Sequence, residues 1–386
     1  PPPPPPPPSP PPPPPPSTPD YIRRQRQMCI RDRIKTMRYL ESVPRHKAQG
    51  VVADVYDQIA EDFFVNGSLT SRSSVPDLFA AIWTGGRETV LVTDQLDRTT
   101  KEALTATLSS INDCPYCGDM MVSLVHAGDR HDEALQILDE TEENISDPLL
   151  RERLLWVRAV ASPGAAPPSS TPFNRAQLPE AIGSLMALSD INRFSHIVMD
   201  GSPVNAPFGL GTVKAFALRL FGGELKATHT RPLKPGRSLH LLSEADLPDD
   251  MQWARPNPRI ASALARWAAA VERESERVIP ERTRQLVHLS LKQWQGEQMP
   301  ISRNWVEQEI EGLEGNERAI ARLALVVAKA SWQTDDKLVA EVLKYNPEQE
   351  QFLRILAWSS FTAARYVAAR IARLSDNSRP VLQQVA

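Results

Sequence analysis

The sequence predicts an all-α chain built as two helical lobes in tandem. Three observations carry that expectation. Helical periodicity dominates the chain from residue 47 onward, and no convincing run alternates as a strand would. Gly, Pro and Ser gather between the periodic segments, notably in "SPGAAPPSSTP" (162–172) and "DGSPVNAPFG" (200–209). Finally, "RERLLWVRAVAS…FNRAQLPEAIGSLMALSDINRF" (151–194) is echoed by "ERAIARLALVVAKAS…DDKLVAEVLKYNPEQEQFLRILAWSSFTAARY" (317–366). Each version has an apolar helix ending in Ala-Ser, an interruption, a Pro-Glu step, and a long apolar helix closing on Arg-aromatic. The closing pairs are Arg193-Phe194 and Arg365-Tyr366.

Taken in order, residues 1–36 fall outside the fold. Sixteen of the 36 prolines lie in residues 1–19, which can form only a polyproline rod or disorder. "QMCIRDR" (27–33) then reads like a translated sequencing adaptor, so a non-native or disordered segment is expected, with Met37 as the native start. The competing expectation is a genuine proline-rich arm for SH3-like partners or a membrane. Helical periodicity next marks 47–65, 98–112, 114–127, 130–140, 148–161, 175–199 and 209–221. Helix 114–127 has the firmest start, because Asn112 and Asp113 are good caps and Pro115 suits the first turn. Residues 223–256, rich in Pro, Gly and charge, read as a connection between lobes. Periodicity resumes over 257–275, 280–294 (the counterpart of 98–112), 302–312, 316–331, 335–344 and 348–373. The expected organisation is a first lobe at 37–200, a connector at 201–256, a second lobe at 257–374 and a tail at 375–386.

Composition excludes several classes. The first 33 residues hold five Arg and two Asp, so the formal charge of −3 becomes −6 for residues 34–386. That acidic balance argues against a nucleic-acid surface. Setting Cys29 aside leaves Cys114 and Cys117, which is no secreted disulfide framework; a cytoplasmic protein is expected. No apolar run reaches the roughly 18 residues of a membrane span.

The two cysteines lie in "INDCPYCGDMMVSLVHAG" (111–128). They could be a working dithiol, half of a metal site, or two small buried residues. A thiol reacts as thiolate, and its ordinary pKa near 8.5 leaves only a few per cent ionised at neutral pH. Cys114 at a helix N-terminus would gain from the dipole and the unpaired N–H groups, and Cys117 on the same face could close a disulfide. Zinc would need Cys114, Cys117, His126 and His131, but the cysteine and histidine pairs are too close in sequence for a zinc finger. His126 also stands about 13 Å along a continuous helix from Cys117. Nucleotide fingerprints, phosphate loops and Ser-His-Asp arrangements are absent from the sequence.

Glu102, then "NDCPYC", then a helix of small and apolar residues resembles the carboxymuconolactone decarboxylase / alkylhydroperoxidase-D family, whose redox members are all-α and oligomerise. "DINRF" (190–194) resembles the Asn-Arg step of that family's later helix. The resemblance covers about 75–200, with a degenerate copy over about 255–373 in which "QGEQM" stands where the first lobe has "DCPYC". It implies a thiol-dependent peroxidase or disulfide oxidoreductase. In it Glu102 serves a proton relay, Cys117 attacks peroxide, and Cys114 resolves the product as a Cys114–Cys117 disulfide, with no other cofactor. It further implies a peroxide or disulfide substrate, a lipoyl- or thioredoxin-like dithiol donor and a homo-oligomer. The family's relay His, four residues after the second cysteine, is Met121 here, and Met cannot move a proton. Tyr116 and Asp119 are the nearest polar substitutes. Two other expectations stay open: a non-redox lyase or isomerase, as the decarboxylase branch performs, and a binding or assembly protein with a vestigial CxxC.

Overall fold

A computed structural model describes residues 37–162, 168–202, 211–376 and 379–380. Residues 1–36, most of the expected tail and the first residues of the expected helix 209–221 lie outside that set. Among the described residues the chain is all-α, apart from a two-residue parallel pairing of Ser170–Thr171 with Arg379–Pro380. No described helix is long and apolar enough to cross a membrane.

Side-chain caps explain where several helices begin. Asp97 accepts from the Thr100 N–H, Asp147 from Leu149 and Leu150, Asn257 from Ile260, and Asp335 from Leu338. Each satisfies first-turn donors and contributes about 1 kcal/mol. The helices are α1 (Gly50–Asp62), α2 (Gly67–Thr70), α3 (Pro76–Gly86, continuing as a π turn Arg87–Leu91), α4 (Arg98–Ile111) and α5 (Pro115–Ala127). They continue as α6 (His131–Leu138), α7 (Pro148–Ala161), α8 (Leu178–Val198) and α9 (Gly211–His229). The rest are α10 (Pro258–Ser275), α11 (Glu281–Gln293), α12 (Asn304–Glu309), α13 (Gly315–Ala330), α14 (Asp336–Tyr345) and α15 (Gln349–Asp376).

Two differences from the sequence expectation share one cause. Helices α2 and α3 lie where none was expected, and α9 runs on through Gly222-Gly223 into the stretch read as connector. Glycines that resemble stop signals are here points of close approach. A Cβ on Gly85 would lie 2.0 Å from the Trp267 ring of α10, and one on Gly222 would lie 2.4 Å from the Ser123 carbonyl of α5. Glycine therefore lets α10 cross α3 and lets α9 lie along α5.

Helices α8 and α15, the long apolar members of the two echoing segments, pack on each other at the centre, and α3 packs on α10. Trp83, Trp267, Trp358, Phe361 and Phe194 are buried in the shared core. Polar ties cross the same boundary. The Asp190 carboxylate accepts from Arg72 at 2.9 Å and from Ser360 at 2.6 Å, and Arg193 donates to the Ala328 carbonyl at 2.9 Å. The first lobe's site is thus walled on one side by the second half of the chain.

Candidate functional site

Helices α4 and α5 form a hairpin whose turn carries the first cysteine. The Asp113 N–H donates to the Ser110 carbonyl (2.9 Å) and the Cys114 N–H reaches back to Ser109 (3.0 Å), closing α4. The turn requires Asp113 at φ 49°, a left-handed position that Asp tolerates better than most residues. Pro115 stands in the first turn of α5 as expected, but the N-cap is Cys114 itself, with no side-chain cap bond, because Asn112 closes α4 and Asp113 makes the left-handed turn instead of capping α5. Its carbonyl accepts from the Gly118 N–H at 2.9 Å. Cys117 lies one turn further in. Both thiols are buried and reduced.

A histidine that the sequence reading did not single out meets this turn. His196, in the last turn of α8, places Nε2 2.7 Å from the Asp113 carbonyl and Nδ1 2.6 Å from the Ser331 hydroxyl. Since a carbonyl only accepts, Nε2 carries a proton, and Nδ1 is free to exchange one with Ser331. The charge of the imidazole also acts on the Cys114 thiol. Burial pushes the Cys114 thiol up, but hydrogen bonds with Cys117 and His196 and the charge of the imidazole outweigh it and bring the thiol down to about 6. Burial pulls His196 down, yet its hydrogen bond and charge interaction with Cys114 and its bond to Asp113 raise it above the usual value. Cys117 is pushed the other way, by burial first and then by its hydrogen bond to Cys114 and the Cys114 charge. Ser195 and the Arg72 guanidinium oppose that rise. Arg72 itself is clamped by Asp190 and lies 3.5 Å over the Phe194 ring. The "DINRF" stretch is therefore an anchor for the wall of the site.

The other residues singled out in the sequence are placed elsewhere. Glu102 gives one carboxylate oxygen to Arg98 (2.8 Å) and the other to His229 (2.6 Å). In the antiparallel hairpin the start of α4 faces the end of α5, as the approach of Thr99 to Gly128 shows, whereas the cysteines sit at the start of α5. Asp119 pairs with Lys214 at 2.7 Å and accepts from Ser202. Tyr116 is buried beside Cys117, and Met121 lines the same apolar space. His126 is buried and within 3.1 Å of His131, at the far end of α5 from the thiols. Burial and the neighbouring His131 hold His126 down to about 4, hence neutral at ordinary pH.

One signal could have found His196. Aligning Arg193-Phe194 with Arg365-Tyr366 puts His196 opposite Ala368. The stretch with the cysteines is followed by this histidine, and the echoing stretch has neither at the matching positions.

Two cavities flank the turn. An apolar one of about 60 Å³ is walled by Cys117, Tyr116, Met120, Met121, Leu69 and Leu188, among others. A larger cleft of about 580 Å³ opens between the two halves of the chain and reaches Asp113 and Ser331, the two partners of His196.

The chain is 30% identical over 345 residues to the alkyl hydroperoxide reductase Rv2159c of Mycobacterium tuberculosis, a match that spans 89% of this chain and 97% of that protein. No family model matches the chain, and no solved structure does.

Proposed function

The chain belongs to the alkylhydroperoxidase-D-like family, and from that premise we propose that it is a thiol peroxidase in which Cys114 is the attacking thiolate, His196 its proton partner and Cys117 the resolving thiol. The observation that carries the reading is the His196 imidazole, fixed between the Asp113 carbonyl and the Ser331 hydroxyl against the turn that presents Cys114. It stands in for the family histidine that Met121 replaces. The role order is the reverse of the one the resemblance implies, because the group that stabilises a thiolate lies at Cys114.

The chemistry balances as follows. The Cys114 thiolate attacks the outer oxygen of ROOH, the O–O bond breaks, and the leaving alkoxide takes a proton from the His196 imidazolium to leave as ROH. Cys114 is then a sulfenic acid. Cys117 gives its proton to the now neutral imidazole and attacks the Cys114 sulfur; hydroxide departs and takes that proton from the imidazolium, leaving as water. The resulting Cys114–Cys117 disulfide is returned to two thiols by a dithiol donor, which is oxidised in turn. A lipoyl- or thioredoxin-like donor fits that requirement. The apolar cavity beside the dithiol favours an alkyl group on the peroxide.

The test is single-turnover oxidation followed by trapping of sulfenic acid with dimedone and mass spectrometry. Cys117→Ser should react once per chain and be trapped at Cys114. Cys114→Ser should lose about 10²-fold or more of the peroxide rate, since the remaining thiol is held protonated. Trapping at Cys117 in the Cys114→Ser variant, at the unmodified rate, would restore the role order of the resemblance. No reaction in either variant would remove the peroxidase reading.

A further inference from the structure

The 580 Å³ cleft is within the range of small-molecule sites, and two of the four cations on its wall lack a directly paired carboxylate. Arg158 on its wall is neutralised by Glu142 at 2.7 Å, and Lys329 by Glu309 at 2.8 Å. Arg193 and Arg370 are different. Arg193 is 8% exposed and spends its donors on neutral oxygens, the Ala328 carbonyl and the carbonyl and hydroxyl of Ser189. Arg370 donates to the carbonyls of Gln295 and Val160. Among the described residues, no carboxylate forms an ion pair with either. Glu297, whose charge acts on Arg370, turns its carboxylate to the Gln295 N–H at 2.8 Å. A buried guanidinium with no carboxylate hydrogen-bonded to it is costly, and the charge of half-buried Arg370 adds to the cost at Arg193. Burial draws Arg193 down to about 10, with the Asp190 charge opposing and the Arg370 charge adding to the fall, and burial and Arg373 draw Arg370 down against Glu297; both remain cations at neutral pH.

The backbone is shaped for Arg370. Gly296 has φ 89°, and a Cβ there would lie 1.7 Å from the guanidinium. Only glycine leaves room for the group where it stands. Trp294, Trp332 and Met299 line the same cleft and offer an apolar surface beside the two charges.

We propose that this cleft binds an organic acid, its carboxylate or phosphate held by Arg193 and Arg370 and its apolar body against Trp294 and Trp332. The site deepens the peroxidase reading and rests on it for its consequence only. A ligand there touches Ser331 and Asp113, so it alters the two bonds that fix His196, and the acid acts as a modulator or a co-substrate recognised next to the dithiol.

The experiment separates the two claims. Binding of benzoate and of inorganic phosphate is titrated calorimetrically to the Cys114→Ser/Cys117→Ser chain, which cannot perform thiol chemistry. Saturable binding of at least one is expected, weakened about tenfold or more in Arg370→Gln, as loss of one charge-assisted contact implies. Benzoate binding with little for phosphate points to carboxylates carrying an apolar body, and the reverse points to phosphate esters. Gly296→Ala serves as the second variant. It keeps the arginine but drives its guanidinium out of place, and should weaken binding equally. No saturable binding, or binding unchanged in both Arg370→Gln and Gly296→Ala, overturns the proposal and leaves the dithiol reading untouched.

Discussion

The turn between α4 and α5 and the stretch after α11 make an instructive pair. After α4 the chain turns once at Asp113 and starts the 13-residue α5 directly on a cysteine. After α11 it runs through "QGEQMPISRN" and forms only the six-residue α12. The later long helix carries His196 in α8 but Ala368 in α15. At the positions matched by the sequence echo, cysteines and histidine are present together in one stretch and absent together from the other. The second region is still no bystander. It supplies Ser331 to the His196 ring, Ser360 to Asp190 and Arg370 to the cleft.

His196→Ala writes the second lobe's residue into the first and should have the largest effect. Loss of a positioned proton donor typically costs about 10² to 10⁴ in rate. The alkylation midpoint of Cys114 should also climb from about 6 toward that of a free thiol. The sign follows from the two shifts. Thiolate forms as pH rises through the lowered Cys114 value, and the imidazolium is lost as pH rises through the raised His196 value. Peroxide turnover in the unmodified protein should therefore trace a bell, and His196→Ala should leave only its rising limb, moved alkaline. An unchanged midpoint would mean that the helix N-terminus alone sets the thiol, and the comparison would lose its meaning.

Much of this was legible in the sequence and some was not, for separable reasons. The boundaries of α4, α5 and α7 could be read because local residues announce them, the caps Asp97 and Asp147 for α4 and α7 and the first-turn Pro115 for α5, whose expected caps Asn112 and Asp113 serve the turn instead. Helix α3 and the second half of α9 could not, because Gly85 and Gly222 look like terminators until Trp267 and Ser123 are seen against them. Cys114 and Cys117 were legible as a pair from spacing and capping. The proton partner was not, since it arrives from 79 residues beyond Cys117 through a tertiary contact. Only the His196–Ala368 mismatch inside the echo encoded it.

Ser331→Ala tests whether the second lobe contributes chemistry or only packing. Ser331 follows α13 and its hydroxyl meets Nδ1 at 2.6 Å. Removing a hydrogen bond to a group that becomes charged costs about 1.5–3 kcal/mol at most, so a fall of roughly tenfold in turnover is expected. Ser331→Thr retains the hydroxyl and should recover most of it. A pure packing role would show the opposite, a lowered melting temperature with the pH profile unmoved.

The smallest effect on the thiol should come from Glu102→Gln, although the resemblance makes Glu102 a relay residue. Its side chain is fully buried, and both oxygens are occupied, one by Arg98 and one by His229. Removing that charge leaves Arg98 buried without its counter-ion. Breaking one partner of a buried pair costs about 3–5 kcal/mol, so the variant should melt markedly earlier. Its Cys114 alkylation midpoint, measured well below the melting temperature, should stay within a few tenths of a pH unit of the unmodified value. The reason is position: the hydrogen bonds that set the Cys114 thiolate come from Cys117 and His196, while Glu102 faces the later turns of α5. Were the midpoint instead to move by a full unit in the still-folded variant, charge at Glu102 would be reaching the dithiol. The family's relay would then be intact in this chain despite Met121, with His196 an addition to it rather than its replacement.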